Sequence, residues 1–510
     1  MTTPARLLGT ALAGLAVSAG AGQAAAQVSP GPPDTARIER ELDEINAMRR
    51  DLARQMQALD ARVDALETEL HGPVATADAA AASPAELAEA PPAQAQEFPA
   101  LPVPVSPTQT AEAGGIYEPG RGVVLMRRPQ GELVFSPFTY ARYINQTALE
   151  PTYTDAFGRT TRLHLREDVQ LQKVTLNFLG WIADPRLRYQ LYVWTSNTSQ
   201  GLGAQVVVAG NLGWRFNEHF SLGAGIGSLP TTRSTNETFP FWLRNDNRTI
   251  ADEYFRGSYT SGIWAWGEIT DKLYYRVMAG DNLSQLGVDA GQLAAGLNTV
   301  SGALWWMPTT GEYGLRSGFG DWEGHDKAAT LFGVNVSRSR EDAEEQPGQN
   351  AFENVQLRIS DGTRIFQPGA FGTEGQIRRA TYEMLAMNGG VKYRGFSLDG
   401  EYYWRWLDDF KTIGDIPFDR FFDHGFQLQA SAMPVHQTVQ VYASGSKIFG
   451  EFGDPSDLAL GLNWWPLSRQ ELKLNGQALW LDRSPVGNNA LPYPVGGDGW
   501  TFTTDAVLKF

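Results

Sequence analysis

The sequence predicts an all-β transmembrane barrel of 16 antiparallel strands, preceded by an α-helical coiled coil. Three observations carry that expectation: the alternation of the last twelve residues, the sorting of the connections into short and long, and one heptad-patterned stretch near the amino terminus. In Gly499-Trp-Thr-Phe-Thr-Thr-Asp-Ala-Val-Leu-Lys-Phe510, the residues Trp500, Phe502, Thr504, Ala506, Leu508 and Phe510 fall on one face. Thr501, Thr503, Asp505, Val507 and Lys509 fall on the other, a period of two that marks a strand. A tilted strand of about 9–11 residues crosses a bilayer. An aromatic-ended apolar face opposite a polar one suits a wall between lipid and a wet lumen.

Composition agrees and excludes alternatives. The mean hydropathy of −0.30 resembles that of a soluble protein, but each barrel strand averages an apolar face with a polar one. Aromatics make up 11% of the chain, with 15 Trp and 54 Gly, which fits aromatic girdles and closely packed strands. A net charge of −15 without a basic tail or stripe argues against nucleic acid as a partner. With no cysteine in the chain, disulfides, thiolate metal sites and cysteine nucleophiles are excluded.

In chain order, residues 1–26 read as a signal peptide. Arg6 begins it, an apolar run follows from Leu7 to Gly20, and Ala24-Ala25-Ala26 offers a small-residue cleavage site. Asp34 can cap a helix after Pro32-Pro33. Ile38, Ile45, Leu52, Leu59 and Leu66 share one heptad position, and Leu42, Arg49, Met56, Val63 and Leu70 share the other. Residues 34–70 therefore read as a coiled coil about 50 Å long. Residues 71–115 form a Pro/Ala-rich linker whose composition cannot bury a core.

The barrel is expected over residues 130–510. Short connections with turn chemistry are Ala183-Asp-Pro185, Asn217-Glu218-His219, Thr270-Asp271-Lys272, Arg394-Gly395, Pro434-Val-His436 and Pro466-Leu-Ser468, with a longer one over 307–326 on the same side. Between them lie longer, more polar stretches at about 148–166, 198–203, 229–257, 282–296, 341–378, 409–420, 450–455 and 483–498. This parity requires an even strand count and puts both chain ends on the short-turn side. Leu458, Leu460, Leu462 and Trp464 alternate with Ala459, Gly461, Asn463 and Trp465, as do Phe396 to Trp404 with Ser397 to Arg405. Trp181, Trp214, Trp305, Trp306, Trp464 and Trp465 sit beside short turns, where a girdle at one membrane interface is expected.

Three segments carry a family resemblance: Ser301-Gly-Ala-Leu-Trp-Trp-Met-Pro-Thr-Thr-Gly-Glu, Ser360-Asp-Gly-Thr-Arg-Ile-Phe-Gln-Pro-Gly-Ala-Phe and Lys392-Tyr-Arg-Gly-Phe-Ser-Leu-Asp-Gly-Glu-Tyr-Tyr-Trp-Arg. On these, residues 116–510 resemble the porin O/P family of phosphate-selective outer-membrane porins. The resemblance implies a homotrimer in the outer membrane of a Gram-negative bacterium, in contact with its lipid, with the coiled coil in the periplasm. It implies passive diffusion of small hydrophilic solutes, with a preference for phosphate or other anions as the finer expectation. The family's arginine ladder finds no residue-by-residue counterpart in this chain.

The connection 229–257 is where a porin loop folds inward. It sets Arg233, Arg244, Arg248 and Arg256 against Glu237, Asp246, Asp252 and Glu253. Opposed charges in a constriction make a transverse field that selects solutes by charge; alternatively, the same residues brace the loop by pairing. By strand alternation, Lys173, Arg188, Arg276, Arg405 and Lys473 are further lumen candidates. Gly223-Ala-Gly-Ile-Gly227 resembles a phosphate loop, but Leu229-Pro230 follows where a helix should begin, so it reads as strand. The acidic groups Asp408, Asp409, Asp415, Asp419 and Glu451, Asp454, Asp457 lack metal-ligand spacing. No serine elbow or histidine constellation appears. The expectation is a channel without catalytic, cofactor or metal residues. A structural anchor tethering the membrane to the periplasm through the coiled coil is the competing reading.

Overall fold

The computed structural model describes residues 114–196, 205–236, 238–288, 291–293, 296–348, 355–372, 374–488 and 490–510. The expected signal peptide and coiled coil lie outside the described residues, as do Glu237 and all but the last two linker residues.

The strands in chain order are β1 (Ile116–Glu118), β2 (Gly122–Arg128), β3 (Gly131–Phe135), β4 (Phe138–Leu149), β5 (Thr152–Thr154), β6 (Thr160–Arg162), β7 (Glu167–Ile182) and β8 (Asp184–Ser196). They continue as β9 (Gln205–Arg215), β10 (Ser221–Ser228), β11 (Tyr259–Thr270), β12 (Leu273–Gly280), β13 (Thr299–Trp306), β14 (Ala329–Asp342) and β15 (Gln376–Tyr393). The last six are β16 (Phe396–Ile413), β17 (Phe421–Val435), β18 (Val439–Phe449), β19 (Ser456–Trp464), β20 (Leu472–Asp482) and β21 (Gly499–Lys509). Of the 19 strands in the main sheet, β4 and β7 through β21 are sixteen, paired antiparallel in succession. The last strand returns to the first, with Val507 opposite Tyr140 and Asp505 opposite Arg142, and closes the barrel. Closure leaves no exposed edge, the condition for a sheet in lipid.

Strands β1 and β2 precede the expected barrel and were not anticipated from sequence. β3 and β4 lie end to end along β7, Phe135 opposite Phe178 and Phe138 opposite Thr175. Pro137 separates them because it has no N–H to give the ladder. An ion-pair cluster ties β1 and β2 down: Arg127 reaches Glu118 and Glu132, each at 2.7 Å.

The short connections are tight for a backbone reason. Ala183, Lys272, Gln437 and Ser468 adopt positive φ, and at the two-residue turn Arg394 (φ 49) and Gly395 (φ 82) both do. That pair matches the right-handed twist of the flanking strands. The long connections sit at the opposite end, and β16 runs on to Ile413, further than expected. Face assignments follow the alternation. Leu458, Leu460, Leu462 and Trp464 are exposed on the outside, whereas Asp457, Ala459 and Asn463 are buried inside.

The interior is far from an open tube. The connection after β13 turns back into the barrel, where Trp305, Met307 and Tyr313 pack with Ala329 and Leu331. Trp465 packs edge-on to Trp322 of the same connection, centroids 4.6 Å apart. Thus the girdle expectation needs correction: Trp306 and Trp464 face outward, but Trp305 and Trp465 are buried inside. At the long-loop end, the connection before β15 folds inward too. Its Leu357, Ile359, Ile365, Phe366 and Phe371 join Tyr382, Tyr403, Phe421, Leu479 and Leu481 of the wall in one apolar cluster. One side of the barrel is filled like the core of a soluble protein.

Candidate functional site: the constriction and its off-axis lumen

The connection from β10 to β11 organises the remaining space. It leaves the wall through Leu229-Pro230 and turns at once: Thr235 Oγ1 accepts the backbone N–H of Thr231 (3.1 Å) and Thr232 (3.0 Å). Further on, Thr249 caps a short helix α1 (Ile250–Phe255) by accepting from the Asp252 N–H. The helix packs against β17, β18 and β19. Its Phe255 stacks on Tyr403, centroids 5.0 Å apart. Ile250, Ala251, Tyr254 and Phe255 all enter the apolar cluster, so the loop is clamped to the filled side.

Two of the predicted arginines act as clamps. Arg244 pairs with Asp457 at 2.7 Å and donates to Ser444 Oγ at 2.7 Å. Arg233 pairs with Asp399, donates to the Ser317 carbonyl (3.0 Å) and lies over the rings of Tyr313 and Phe319. It therefore joins the inturned connection after β13 to the loop between β10 and β11. Asp457, one of the acidic residues grouped with Glu451 and Asp454 in the sequence, is a buried partner within β19.

A cavity of about 240 Å³ lies between this loop and the bare wall of β7 to β11. Lys173, Thr175 and Asn177 of β7 line it, with Gln190, Tyr192 and Trp194 of β8. It reaches from Lys509 and Phe510 at the short-turn end to Leu286 and Asn488 in the long connections. Of the predicted lumen residues, Lys173, Arg248 and Arg256 line it. Lys173 bonds Asp246 at 2.7 Å, Arg256 bonds Glu253 at 2.6 Å, and Arg248 approaches Glu253 at 3.3 Å.

The other six do not line the cavity, which corrects the expectation that inward parity alone exposes a charge to the channel. Besides Arg233 and Arg244, Arg405 is buried against Asp423 and donates to the Arg358 carbonyl at 2.7 Å. Arg276 lies over Trp264, 5.7 Å from the ring centroid. Arg188 donates to the Pro185 carbonyl at 3.1 Å, and Lys473 is buried on β20. Packing of the inturned connections takes Arg233, Arg244 and Arg405 out of the path, whereas Arg188 is folded back onto its own turn and Arg276 onto Trp264. The glycines of Gly223 to Gly227 are strand residues, as expected. A Cβ at Gly223 would stand 2.6 Å from the Trp264 indole, so the inward Trp264 needs the bare backbone.

Sequence reasoning missed Arg316, Lys509 and Arg142. Arg316 sits in the irregular connection after β13, where no periodicity signals a facing, and it lines the cavity. Lys509 was placed on the lumen face by alternation without being singled out; it lines the cavity too. Arg142 pairs with Asp505 at 2.7 Å, donates to the Asn245 carbonyl at 2.6 Å, and so fastens the loop tip to the barrel seam. Its signal was legible, since both partners have inward parity on neighbouring strands.

Among the described residues, one grouping has metal-ligand proximity: Asp321, Glu323 and His325. Both ring nitrogens of His325 are already engaged by carboxylates, Nε2 with Glu312 at 2.8 Å and Nδ1 with Asp321. Burial alone would depress this imidazole, but the two carboxylates prevail and push it up to about 9. The group is an imidazolium latch rather than a metal ligand. At the other end, burial and the neighbouring Arg364 hold the Arg358 guanidinium down to about 9.

No family model matches the chain, and no curated protein matches it. Among solved structures, an anion-selective porin from Comamonas acidovorans is similar with TM-score 0.46 and 11% identity, covering 75% of this chain and 100% of that one. The outer-membrane channel DcaP of Acinetobacter baumannii gives 0.47 and 7%, covering 76% and 100%. The outer-membrane protein OmpT of Vibrio cholerae, in its trimer form, gives 0.45 and 13%, covering 75% and 100%.

Proposed function

We propose that this protein is an outer-membrane porin, a passive channel for small hydrophilic solutes that prefers anions. The observation that supports the preference is the lining of the cavity. Five basic side chains (Lys173, Arg248, Arg256, Arg316 and Lys509) meet two acidic ones (Asp246 and Glu253) there. In a narrow, low-dielectric passage such an excess raises the local concentration of anions. The closed barrel with an apolar exterior suits an outer membrane and its lipid. On this reading residues 1–26 direct export, residues 34–70 form a periplasmic coiled coil, residues 71–115 link it to the barrel, and the chain works as a homotrimer.

Planar-bilayer recording tests the proposal. Discrete conductance steps are expected, with a reversal potential in a potassium chloride gradient that reports chloride over potassium. Phosphate added to both sides should lower the chloride current if phosphate shares the path. A correctly folded barrel that gives no steps would leave the tether as the surviving role, and a potassium preference would overturn the charge argument.

A further inference from the structure

We propose that the cavity is a binding stretch for small organic anions with a flat apolar body, such as single-ring carboxylates. The inference rests on the channel reading above and names the class of solute it retains. Its basis is the arrangement of rings and cations along the passage. Phe239 meets Phe138 and Trp242 edge-on, with centroids 5.1 and 5.2 Å apart. Lys173 Nζ lies 4.5 Å from the Trp194 ring and 5.5 Å from Phe239, and the Arg248 guanidinium lies 4.3 Å from Trp242. Ring and cation therefore sit side by side, within the span of one small molecule.

A compact inorganic anion gains nothing from ring edges, which displace the water it would keep. A carboxylate on a flat ring uses both features, the oxygens on the cation and the ring on the aromatic cluster. Room for the headgroup exists: an ammonium has three donors, and Asp246 takes one from Lys173. Asp246 also accepts from Tyr140 at 2.6 Å, so it stays in place while a second carboxylate shares the lysine. The volume sets an upper size. At about 240 Å³, the space is below the roughly 300–1,000 Å³ of pockets that hold drug-sized ligands.

The test uses the full chain in planar bilayers carrying chloride current, with benzoate, acetate, inorganic phosphate or neutral benzyl alcohol added on one side. Benzoate should interrupt the current at concentrations where the other three do not. Block is normalised to each variant's own current. Trp242→Leu combined with Phe239→Leu should raise the half-blocking concentration of benzoate by roughly two- to tenfold. Lys173→Gln should bring benzoate down toward benzyl alcohol. Equal potency of benzoate and acetate, or undiminished block in the double leucine variant, overturns the inference while chloride steps leave the porin reading standing. Saturation-transfer NMR of benzoate on the detergent-solubilised protein reads the site without current. Absent steps would sink the porin reading, and absent transfer would sink the binding stretch. Native gel mobility before and after heating confirms that each variant is folded.

Discussion

Arg244 offers the sharpest perturbation of the constriction. Replacing it with methionine keeps the stem and strands Asp457, whose side chain is fully buried. Removing one partner of a buried pair costs about 3–5 kcal/mol. Against that stands the apolar grip of α1, where Ile250 and Phe255 are both fully buried and hold the loop by about 1.5–3 kcal/mol each. Arg233 and Arg142 still hold the loop elsewhere, and Ser446 Oγ and the Ile250 N–H still donate to Asp457, so the loop should loosen at α1 without leaving. At about 1.4 kcal/mol per decade, this loosening should become at least a hundredfold more frequent. Single-channel traces of Arg244→Met should flicker between the parent level and a larger one. Adding Phe255→Ala should hold the larger level open. Adding Asp457→Asn to Arg244→Met instead should quiet the trace, because it removes the stranded charge. A folded Arg244→Met channel with the parent's mean current and noise would show that this loop does not narrow the path.

Three further outcomes are expected. His325, raised to about 9 by its two carboxylates against the pull of burial, lends the inturned connection stability that is full below about pH 6.5, its unfolded value, and is lost as pH rises through 9; protease nicking at 307–328 should rise across that window in the parent and be pH-independent in His325→Gln. Leu460→Arg should cost about 2–4 kcal/mol near the midplane, read as failure to refold into liposomes. Asn463→Arg should fail in detergent as well, because Asn463 is fully enclosed and donates to the Leu243 carbonyl at 3.0 Å, whereas Thr175→Arg on the bare wall should refold and shift the reversal potential toward chloride. A tag between the exposed Gln367 and Pro368 should be labelled on intact cells, and one at Arg394-Gly395 should not; the reverse pattern would invert the topology.

The barrel was legible because its signals are local. Parity of connections and period-two faces depend on neighbours in sequence, and they placed Leu460 outside and Asn463 inside correctly. What lies inside depends on tertiary packing that alternation cannot express. Arg405 and Lys173 have the same inward parity, yet Arg405 is sealed under the connection before β15 while Lys173 meets the cavity. Trp305 and Trp306 are adjacent, yet one anchors an inturned connection and the other faces outward. The connection 229–257 was expected to fold inward, and most of its described residues are buried inside the barrel. The division of its arginines into clamps, Arg233 and Arg244, and lining groups, Arg248 and Arg256, follows from partners on β16 and β19 far away in the chain.

The apolar cluster lies mainly against β15 to β20 and the cavity against β7 to β11, with Leu491 shared between them, so on the channel reading stability and permeability rest largely on different residues. Substitutions on the inward positions of β7, β8 and β9 alter what the solute meets without disturbing the cluster that holds the loops. If the proposed channel reading holds, such a layout lets a population of cells alter which solutes pass by single changes along three neighbouring strands. The opposite side tolerates little drift, since each change there disturbs a solid interior. Sequence divergence among descendants of this chain should therefore be lopsided, fast around the passage and slow behind it.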